Sequence, residues 1–251
     1  MVKSLLEEST VTKRFLFPRK KHLDNPFFIK TKNDRLSCYR QFSHIDKKML
    51  IVFHGSNEIV NDYIDVFAKK IDKMGYNLLV AEYRGYSYSS GFANLVNILD
   101  DIYYIIKDCG VAEEDIVVFG RSIGTIYAMH AIKLFPKIKG IIIESGIADF
   151  YDRIIKRLSP EDIETTEEQL KEEINKYFDI EKTIKSYKGS SLFMHTIDDR
   201  IIGVEHSKKL HEWANEPKTI SLYAEGGHCD IQDMNQEMYF HDIKKLIDSL
   251  E

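Results

Sequence analysis

Short, continuous apolar runs alternate along the chain with segments in which apolar residues recur at helical spacing. Continuous runs are typical of strands buried on both faces, and their alternation with helices favours a largely parallel sheet covered on both sides, an α/β fold. The predicted strands of this kind are residues 49–53, 76–82, 116–119, 138–143, 190–195 and 219–223. The predicted helices are approximately residues 58–74, 93–108, 125–135, 204–215 and 234–250.

Two shorter runs precede this alternation. Residues 13–19 and 35–42 are rich in β-forming side chains, and a polar segment with asparagine and proline separates them. Such runs bounded by turn-forming residues are typical of short strands. We expect them to form an antiparallel pair at the start of the chain.

One long interval interrupts the alternation. Residues 148–188 lie between two predicted strands and exceed what a simple crossover needs. Ser159 followed by Pro160 predicts a helix start, and Thr165 and Thr166 each begin a capping box for a second helix. We expect a small helical cap insertion here.

The second helix of the cap insertion carries a single apolar stripe on an acidic background. Leu170, Ile174 and Phe178 recur every four residues and therefore lie on one helix face. The stripe has two interpretations. It packs on the rest of the domain, or it lines an apolar substrate pocket.

Length and charge narrow the classes of function. The chain has 251 residues with 43% hydrophobic content, enough for one sizeable core, so we expect a single domain over residues 1–251 with the cap insertion at about 148–188. The formal net charge is −5, and the charges are interspersed. No nucleic-acid partner is expected, because such proteins need a basic surface.

The three cysteines are widely spaced and odd in number: Cys38, Cys109 and Cys229. They lack the paired spacing of zinc sites, so neither a metal nor a cofactor is expected, and unpaired thiols fit a reducing compartment. The start of the chain has no signal-peptide pattern, and no apolar run is long enough to span a membrane. We therefore expect a cytoplasmic protein with no integral membrane segment.

A candidate nucleophile lies where the predicted strand 116–119 runs into the next helix. The sequence Gly120-Arg121-Ser122-Ile123-Gly124 places a serine on a sharp strand-to-helix turn, which holds its hydroxyl clear of both elements. The two glycines let the helix and the strand approach closely. Ser122 is therefore the predicted nucleophile of an acyl-transfer reaction; dehalogenase or epoxide hydrolase chemistry would call for aspartate at this position.

A serine nucleophile needs a histidine base and a carboxylate that orients it. After a strand–turn–helix serine, these partners follow in the order acid, then histidine, each after a later strand. His228 lies in a glycine-flanked loop after the last strand and is the predicted base. The residues leave the acid open between Asp198 and Asp199, which follow the strand 190–195, and Glu144, at the end of strand 138–143.

Attack on a carbonyl also needs two backbone N–H groups that stabilise the oxyanion. Ile123, at the start of the helix after the nucleophile, can supply one, because N–H groups there are free. Ser56, after His54-Gly55 at the end of a central strand, is the candidate for the other. We expect His54 to be a structural side chain that fixes this loop, since it precedes the nucleophile in the chain.

Five segments together resemble a known superfamily: HGSNE, EYRGYSYSSG, FGRSIGT, HTIDDRI and EGGH. From about residue 49 to the end, the chain resembles α/β-hydrolase fold serine hydrolases, and is similar to their small depalmitoylase-like and Bem46-like group. The resemblance implies Ser122 as nucleophile, Asp199 as acid and His228 as base, with Ser56 and Ile123 as oxyanion donors. The family's acid loop usually reads His-Gly-x-x-Asp; His195 and Asp199 keep that spacing, which favours Asp199 over Asp198.

Three departures from the family pattern matter. Thr196 replaces the usual glycine of the acid loop, and Ser87 stands where the Tyr-Arg-Gly-Tyr segment usually continues with glycine. Neither change removes a reacting group. The depalmitoylating members also carry a cysteine-rich segment for membrane attachment at the start of the chain, which this sequence does not show, so membrane-bound palmitoyl-proteins are not the expected substrates.

Three functions are compared. The leading prediction is hydrolysis of a small-molecule carboxylic ester or thioester through an acyl-enzyme. The alternatives are a serine peptidase of the prolyl oligopeptidase-like class and a non-catalytic binding member of the fold. The acidic cap insertion suggests that strongly anionic substrates are disfavoured.

Overall fold

The computed structural model describes residues 4–250, which contain one eight-stranded sheet. The strand order is β1-β2-β4-β3-β5-β6-β7-β8. Strand β2 pairs antiparallel with both β1 and β4, and every pairing from β4 onward to β8 is parallel. The strands are β1 (Phe27–Lys30), β2 (Arg35–Gln41), β3 (Met49–Phe53), β4 (Asn77–Ala81), β5 (Ile116–Arg121), β6 (Gly140–Glu144), β7 (Ser190–Thr196) and β8 (Lys218–Tyr223). The predicted parallel sheet is confirmed.

Helices cover both faces of this sheet. They are α1 (Ser9–Phe15), α2 (Val66–Lys73), α3 (Asn97–Asp108), α4 (Gly124–Leu134), α5 (Phe150–Ile155), α6 (Glu167–Tyr177), α7 (Ile180–Ser186), α8 (Glu205–Trp213), α9 (Ile231–Met234) and α10 (Gln236–Asp248). Short 3-10 helices occupy Leu5–Glu7, Val60–Asp62, Glu113–Asp115 and Pro160–Ile163. Among residues 4–250, every helix is too short or too polar to traverse a lipid bilayer.

Strand β3 shows why the central strands are continuously apolar. All five of its residues are fully buried. Met49, Ile51 and Phe53 belong to the core on one face of the sheet, and Leu50 and Val52 belong to the core on the other. Successive side chains of a strand point to opposite faces, so a strand between two helical layers needs apolar residues at every position.

The expected strand over residues 13–19 is wrong. Helix α1 ends at Phe15, and the antiparallel partner of β2 is instead β1, which pairs Phe27 with Cys38. The physical reason lies before residue 13. Val11 and Phe15 are four residues apart, share one helix face and are both buried. The prediction of β2 itself is confirmed.

Two helices begin later than predicted, because side chains that precede them accept hydrogen bonds from nearby backbone N–H groups. In the first predicted helix, a 3-10 helix begins at Val60, and in the second, α3 begins at Asn97. Asn94 Oδ1 accepts the N–H groups of Val96 and Asn97, so α3 begins at residue 97 rather than 93. Glu58 Oε2 accepts the N–H of Gly55 within the loop that follows β3, and α2 begins only at Val66.

The segment between β6 and β7 contains three helices and a 3-10 turn. The predicted capping box at Thr166 is present, with the Thr166 hydroxyl and the Gln169 side chain each accepting the other's N–H. The apolar stripe of α6 is buried, at 0% exposure for Leu170. The ring of Phe178 packs edge-on at 5.1 Å from that of Phe150. Helix α6 is therefore packed on the remainder of the fold.

Candidate active site

Ser122 lies on a strained turn between β5 and α4. Its φ is +52°, in the left-handed region that side chains other than glycine rarely adopt. Its N–H donates to the carbonyl oxygen of Glu144 at the end of the neighbouring strand, at 2.9 Å. Such a backbone costs on the order of 1–3 kcal/mol, so the surrounding structure must impose it.

The two glycines of the turn allow a very close approach of α4 to the sheet. A Cβ on Gly124 would collide with the carbonyl oxygen of Phe53 in β3. A Cβ on Gly120 would lie 2.7 Å from the carbonyl oxygen of Gly124. The start of α4, directly after Ser122, is therefore held against the end of the central strands.

Three side chains that are far apart in the sequence form one chain of hydrogen bonds. His228 Nε2 lies 2.9 Å from Ser122 Oγ, and His228 Nδ1 lies 2.8 Å from Asp199 Oδ2. A carboxylate can only accept, so Nδ1 carries the proton and Nε2 is left to accept the serine hydroxyl's proton. The structure brings together the three residues that the sequence analysis selected.

Asp199 is held ionised by its neighbours. Burial alone would raise the pKa of this carboxyl, but hydrogen bonds from His195 and His228 hold it well below its usual range. Oδ1 accepts the N–H groups of Ile201 and Ile202, each at 2.9 Å. With its oxygens occupied in this way, the carboxylate is fixed toward the imidazole of His228.

His195 braces Asp199 from the opposite side of the base. Its Nε2 lies 2.8 Å from the carbonyl oxygen of Ile202 and 3.2 Å from Asp199 Oδ2, so this nitrogen carries the proton. Its Nδ1 lies 2.6 Å from the hydroxyl of Ser207, which donates to it. The spacing between His195 and Asp199 thus has a direct structural role.

The other two candidate acids lie elsewhere. Asp198 is exposed to solvent. Glu144 is buried, and its oxygens accept from Arg121 Nε at 2.7 Å and from the Tyr239 hydroxyl at 2.6 Å. Of the three carboxylates considered, only Asp199 reaches His228.

The two expected oxyanion donors flank the nucleophile. Ser56, Ile123 and Ser122 line one small cavity. Within residues 4–250, no acceptor is bound to the N–H of Ser56 or to that of Ile123. The carbonyl oxygen of Gly55, which shares a peptide unit with the N–H of Ser56, lies 2.8 Å from His54 Nδ1 and accepts the N–H of Glu58 at 3.3 Å, which fixes the orientation of this peptide.

His54 has the structural environment that the sequence suggested. It is fully buried, with Nδ1 2.8 Å from the carbonyl oxygen of Gly55 and Nε2 2.9 Å from Glu82 Oε1. Ser87, where the family pattern has glycine, adopts a φ of +41° and donates its hydroxyl to Glu82 Oε2 at 2.7 Å. These contacts fix the loop that carries Ser56.

Arg121 is a site residue that sequence reasoning missed. Its guanidinium contacts Glu58 through Nη1 and Glu144 through Nε, and Nη2 donates to the carbonyl oxygen of His228 at 2.8 Å. Burial would lower the pKa of Arg121, but the two carboxylates raise it well above its usual value. This cation joins the strand of the nucleophile to the loop of the base.

A cavity of about 500 Å³ opens over Ser122 and His228, within the range of small-molecule sites. Part of its wall comes from Phe17, in a segment that the sequence analysis misassigned, and part from Arg157. The remaining lining residues are Gly55, Ser56, Asn57, Glu58, Arg121, Ile201 and Cys229.

The second interpretation of the α6 stripe is wrong. Neither cavity at Ser122 has Leu170, Ile174 or Phe178 in its wall. All three side chains are at most 6% exposed and belong to the core. The stripe packs on the fold, as its first interpretation held.

Within residues 4–250, no group of three or more His, Cys, Asp or Glu side chains is arranged to hold a metal ion. Cys38 and Cys109 are buried and free, and Cys229 is exposed and free. Burial raises the pKa of the Cys38 thiol to about 12, so this thiol stays protonated near neutral pH.

A family model described as serine aminopeptidase, S33, matches residues 45–161. The uncharacterized protein YfhR of Escherichia coli K12 is 27% identical over 177 residues, or 67% of this chain. That match spans 59% of the length of YfhR.

Solved structures agree over most of the chain. Est1E from Butyrivibrio proteoclasticus, solved with ferulic acid, superposes with a TM-score of 0.73 at 16% identity and covers 89% of this chain and 98% of Est1E. Mouse alpha/beta hydrolase domain-containing protein 10 superposes with a TM-score of 0.68 at 19% identity, and the match covers 90% of this chain and 100% of the mouse chain. These likenesses confirm the predicted α/β-hydrolase fold.

Proposed function

Starting from the α/β-hydrolase fold, we propose that this chain is a serine hydrolase that cleaves a carboxylic ester or thioester through an acyl-enzyme on Ser122. The observation that carries the proposal is the continuous chain of hydrogen bonds from Asp199 through His228 to Ser122. A buried, ionised carboxylate, an oriented imidazole and a serine hydroxyl that lines the cavity from a strained turn are the parts of an activated serine. We also propose that residues 1–251 act as a single domain.

In the first half of the reaction, Ser122 Oγ attacks the substrate carbonyl while its proton passes to His228 Nε2. Asp199 stabilises the imidazolium that forms, because it remains an anion against Nδ1. The imidazolium then gives the proton to the leaving alcohol or thiol. The products of this half are an ester on Ser122 and the departed group.

In the second half, water takes the place of the leaving group beside His228. Nε2 accepts a proton from the water as it attacks the acyl carbon, and the proton then returns to Ser122 Oγ. The N–H groups of Ser56 and Ile123 bind the oxyanion in both halves. The peptide of the Ser56 N–H is held through the Gly55 carbonyl oxygen, and that of the Ile123 N–H through the Ser122 carbonyl oxygen, which accepts the N–H of Thr125 at 3.1 Å, so little reorganisation is needed.

A peptidase is the second candidate, and the description of the matching family model favours it. An aminopeptidase must hold a substrate ammonium group, which calls for an unpaired carboxylate. Glu58 is the one carboxylate in the wall of the large cavity, and it is paired with Arg121. The cavity wall therefore favours an ester or thioester over a peptide with a free amino terminus.

The five sequence segments also support kinship with the depalmitoylase-like and Bem46-like hydrolases, which we propose as the functional group of this chain. A non-catalytic role is disfavoured, since Asp199 and Ser122 each lie within hydrogen-bond distance of His228.

Labelling with a fluorophosphonate probe tests the proposal. We expect Ser122 to be labelled in the wild type, and Ser122→Ala to lose both the label and the hydrolysis of p-nitrophenyl esters. Ser145, also at positive φ but buried, provides a matched control through Ser145→Ala. Equal labelling of the wild type and Ser122→Ala would reject Ser122, and cleavage of aminoacyl-naphthylamides with inert esters would establish the peptidase instead.

A further inference from the structure

Two arginines from the cap insertion line the cavities beside Ser122. Arg153 belongs to α5 and is only 6% exposed, while Arg157 follows that helix and is half-buried. Arg157 donates Nη1 to the carbonyl oxygen of Arg14 at 2.9 Å and lies 5.0 Å from the centre of the Phe15 ring. Both side chains belong to the wall of the small cavity at the nucleophile.

The guanidinium of Arg153 lacks a partner in the described part of the chain. Across residues 4–250, its guanidinium makes neither a hydrogen bond nor an ion pair within 4.0 Å. Burial lowers the pKa of Arg153, against the opposite pull of the Asp152 and Asp199 carboxylates. Arginine stays protonated in proteins, so five N–H donors and a positive charge are left to be satisfied from the cavity.

The two cations also act on each other. Beyond its own burial, the charge of Arg153 lowers the pKa of Arg157. Two positive groups held at one cavity wall repel, and an anion between them would relieve that repulsion as well as the desolvation of Arg153. A carboxylate suits this place, because the guanidinium fork matches its two oxygens.

The position of Arg153 relative to the base tells which part of a substrate would meet it. His228 lines the large cavity and must face the leaving group in order to protonate it. The small cavity holds Arg153 and the oxyanion donor Ile123 but not His228. Its volume is only about 20 Å³, little more than one water, but it shares Ser56, Ser122 and Arg157 with the large cavity. Because Ser122 and Arg153 line the same small cavity, a carboxylate that meets Arg153 must be joined to the acyl carbon by a short chain.

We propose that Arg153, assisted by Arg157, binds a carboxylate on the acyl part of the substrate, so that the enzyme prefers monoesters or monothioesters of short dicarboxylic acids. This inference rests on the proposed function and names its substrate class. It reverses the expectation from the acidic cap insertion. The acidic side chains of α6, such as Glu168 and Glu172, face solvent and do not line either cavity.

Substrate pairs that differ only in charge test the inference. The kcat/KM for monoethyl succinate and for ethyl butanoate, measured by titrating the released acid, gives a ratio for each variant. We expect the wild type to favour the anionic ester at least tenfold, and Arg153→Gln to lower the ratio by roughly 10- to 100-fold, as loss of a charged hydrogen bond does. Arg153→Lys keeps the charge and should give an intermediate ratio.

Two controls locate the effect. Arg35→Gln removes an exposed arginine that stacks on Phe28 in β1, and its ratio should equal that of the wild type. The acetyl ester of glycolate, compared with ethyl acetate, carries its carboxylate on the leaving group. A dependence on Arg153 for that pair, and not for the succinate pair, would overturn the acyl-side assignment.

A binding measurement separates this inference from the proposed function. Calorimetry with succinate on Ser122→Ala protein requires no chemistry, and we expect binding that is lost in Ser122→Ala combined with Arg153→Gln. Binding without any ester hydrolysis by the wild type would reject the hydrolase and keep the anion site. Labelling of Ser122 together with equal charge ratios in the wild type and Arg153→Gln would reject the anion site and keep the hydrolase.

Discussion

The guanidinium of Arg121 donates a 2.8 Å hydrogen bond to the carbonyl oxygen of His228, across 107 positions of sequence. Arg121 is the last residue of β5 and directly precedes the nucleophile. The same side chain bonds Glu144, whose carbonyl oxygen accepts the N–H of Ser122. The separation between the base and the nucleophile is therefore fixed through one buried cation.

Replacing Arg121 should impair turnover more than substrate binding. In Arg121→Met, we expect kcat to fall about 10- to 100-fold with little change in KM, because the loop of His228 loses its anchor and a small displacement of a base is costly. The free energy of unfolding should fall by about 3–5 kcal/mol, since the buried Glu144 and the partly buried Glu58 both lose their cation. Steady-state kinetics and urea unfolding measure the two effects.

Arg121→Lys provides the control for this experiment. It restores the charge between the carboxylates but cannot contact Glu58, Glu144 and His228 at once. Stability should recover further than kcat. Equal recovery of both would show that Arg121 acts only on stability.

The assignment of the acid leads to a matched pair of variants. Asp199→Asn should lower kcat about 10⁴-fold, the effect of the equivalent change in other serine hydrolases, because the amide leaves the imidazole in the wrong tautomer. Asp198→Asn alters the neighbouring, exposed carboxylate and should leave kcat within about twofold of the wild type. The reverse ranking of the two variants would move the acid to Asp198.

Much of the fold was predictable because its central strands are buried on both faces. In a chain of alternating strands and helices, a continuous apolar run such as residues 49–53 predicts a buried strand, and β3 spans those residues. The start of α3 was not predictable to the residue, because Asn94 caps the helix from outside it. The prediction of a strand over residues 13–19 was wrong for a similar reason. The helical spacing there is between Phe15 and Val11, and Val11 precedes the apolar run.

The candidate site divides in the same way. Ser122 and His228 could be chosen from the sequence, because each follows a strand and their order along the chain is fixed by the topology. Strand position left three candidate acids, and only the resemblance to the family's acid loop favoured Asp199. Arg121 sits inside the motif, but its three contacts come from the end of β6 and from two separate loops. Arg153 belongs to no motif, and its place beside Ser122 depends on how α5 packs, which spacing does not encode.

The glycines of the turn predict a difference in stability. Gly124→Ala should lower the free energy of unfolding by more than 3 kcal/mol, because the new Cβ collides with the Phe53 carbonyl oxygen and neither backbone can move easily. Gly75→Ala has a φ of +86° but no atom within 4 Å of the new Cβ, so about 1 kcal/mol is expected from backbone strain alone. Urea unfolding of both variants provides the comparison, and equal losses would contradict the collision.

The lowered pKa of Asp199 predicts how stability depends on pH. Below its usual pKa of about 3.9, this carboxyl binds a proton in the unfolded chain but not in the folded one, so stability falls as pH falls. We expect the free energy of unfolding to drop more steeply between about pH 5 and pH 2.5 in the wild type than in Asp199→Asn. Urea titrations across that range measure the slopes, and parallel curves would contradict the contribution of Asp199.

The apolar stripe of α6 should affect stability and leave substrate choice alone. Leu170→Ala removes a fully buried side chain and should cost about 2–5 kcal/mol of unfolding free energy, because the cavity it leaves cannot fully collapse. The exposed Glu168, on the same helix, gives the control Glu168→Ala, which should stay within about 0.5 kcal/mol of the wild type. A p-nitrophenyl ester series of rising acyl length should give the same profile for both variants. A profile that shifts in Leu170→Ala without loss of stability would return the stripe to the substrate pocket.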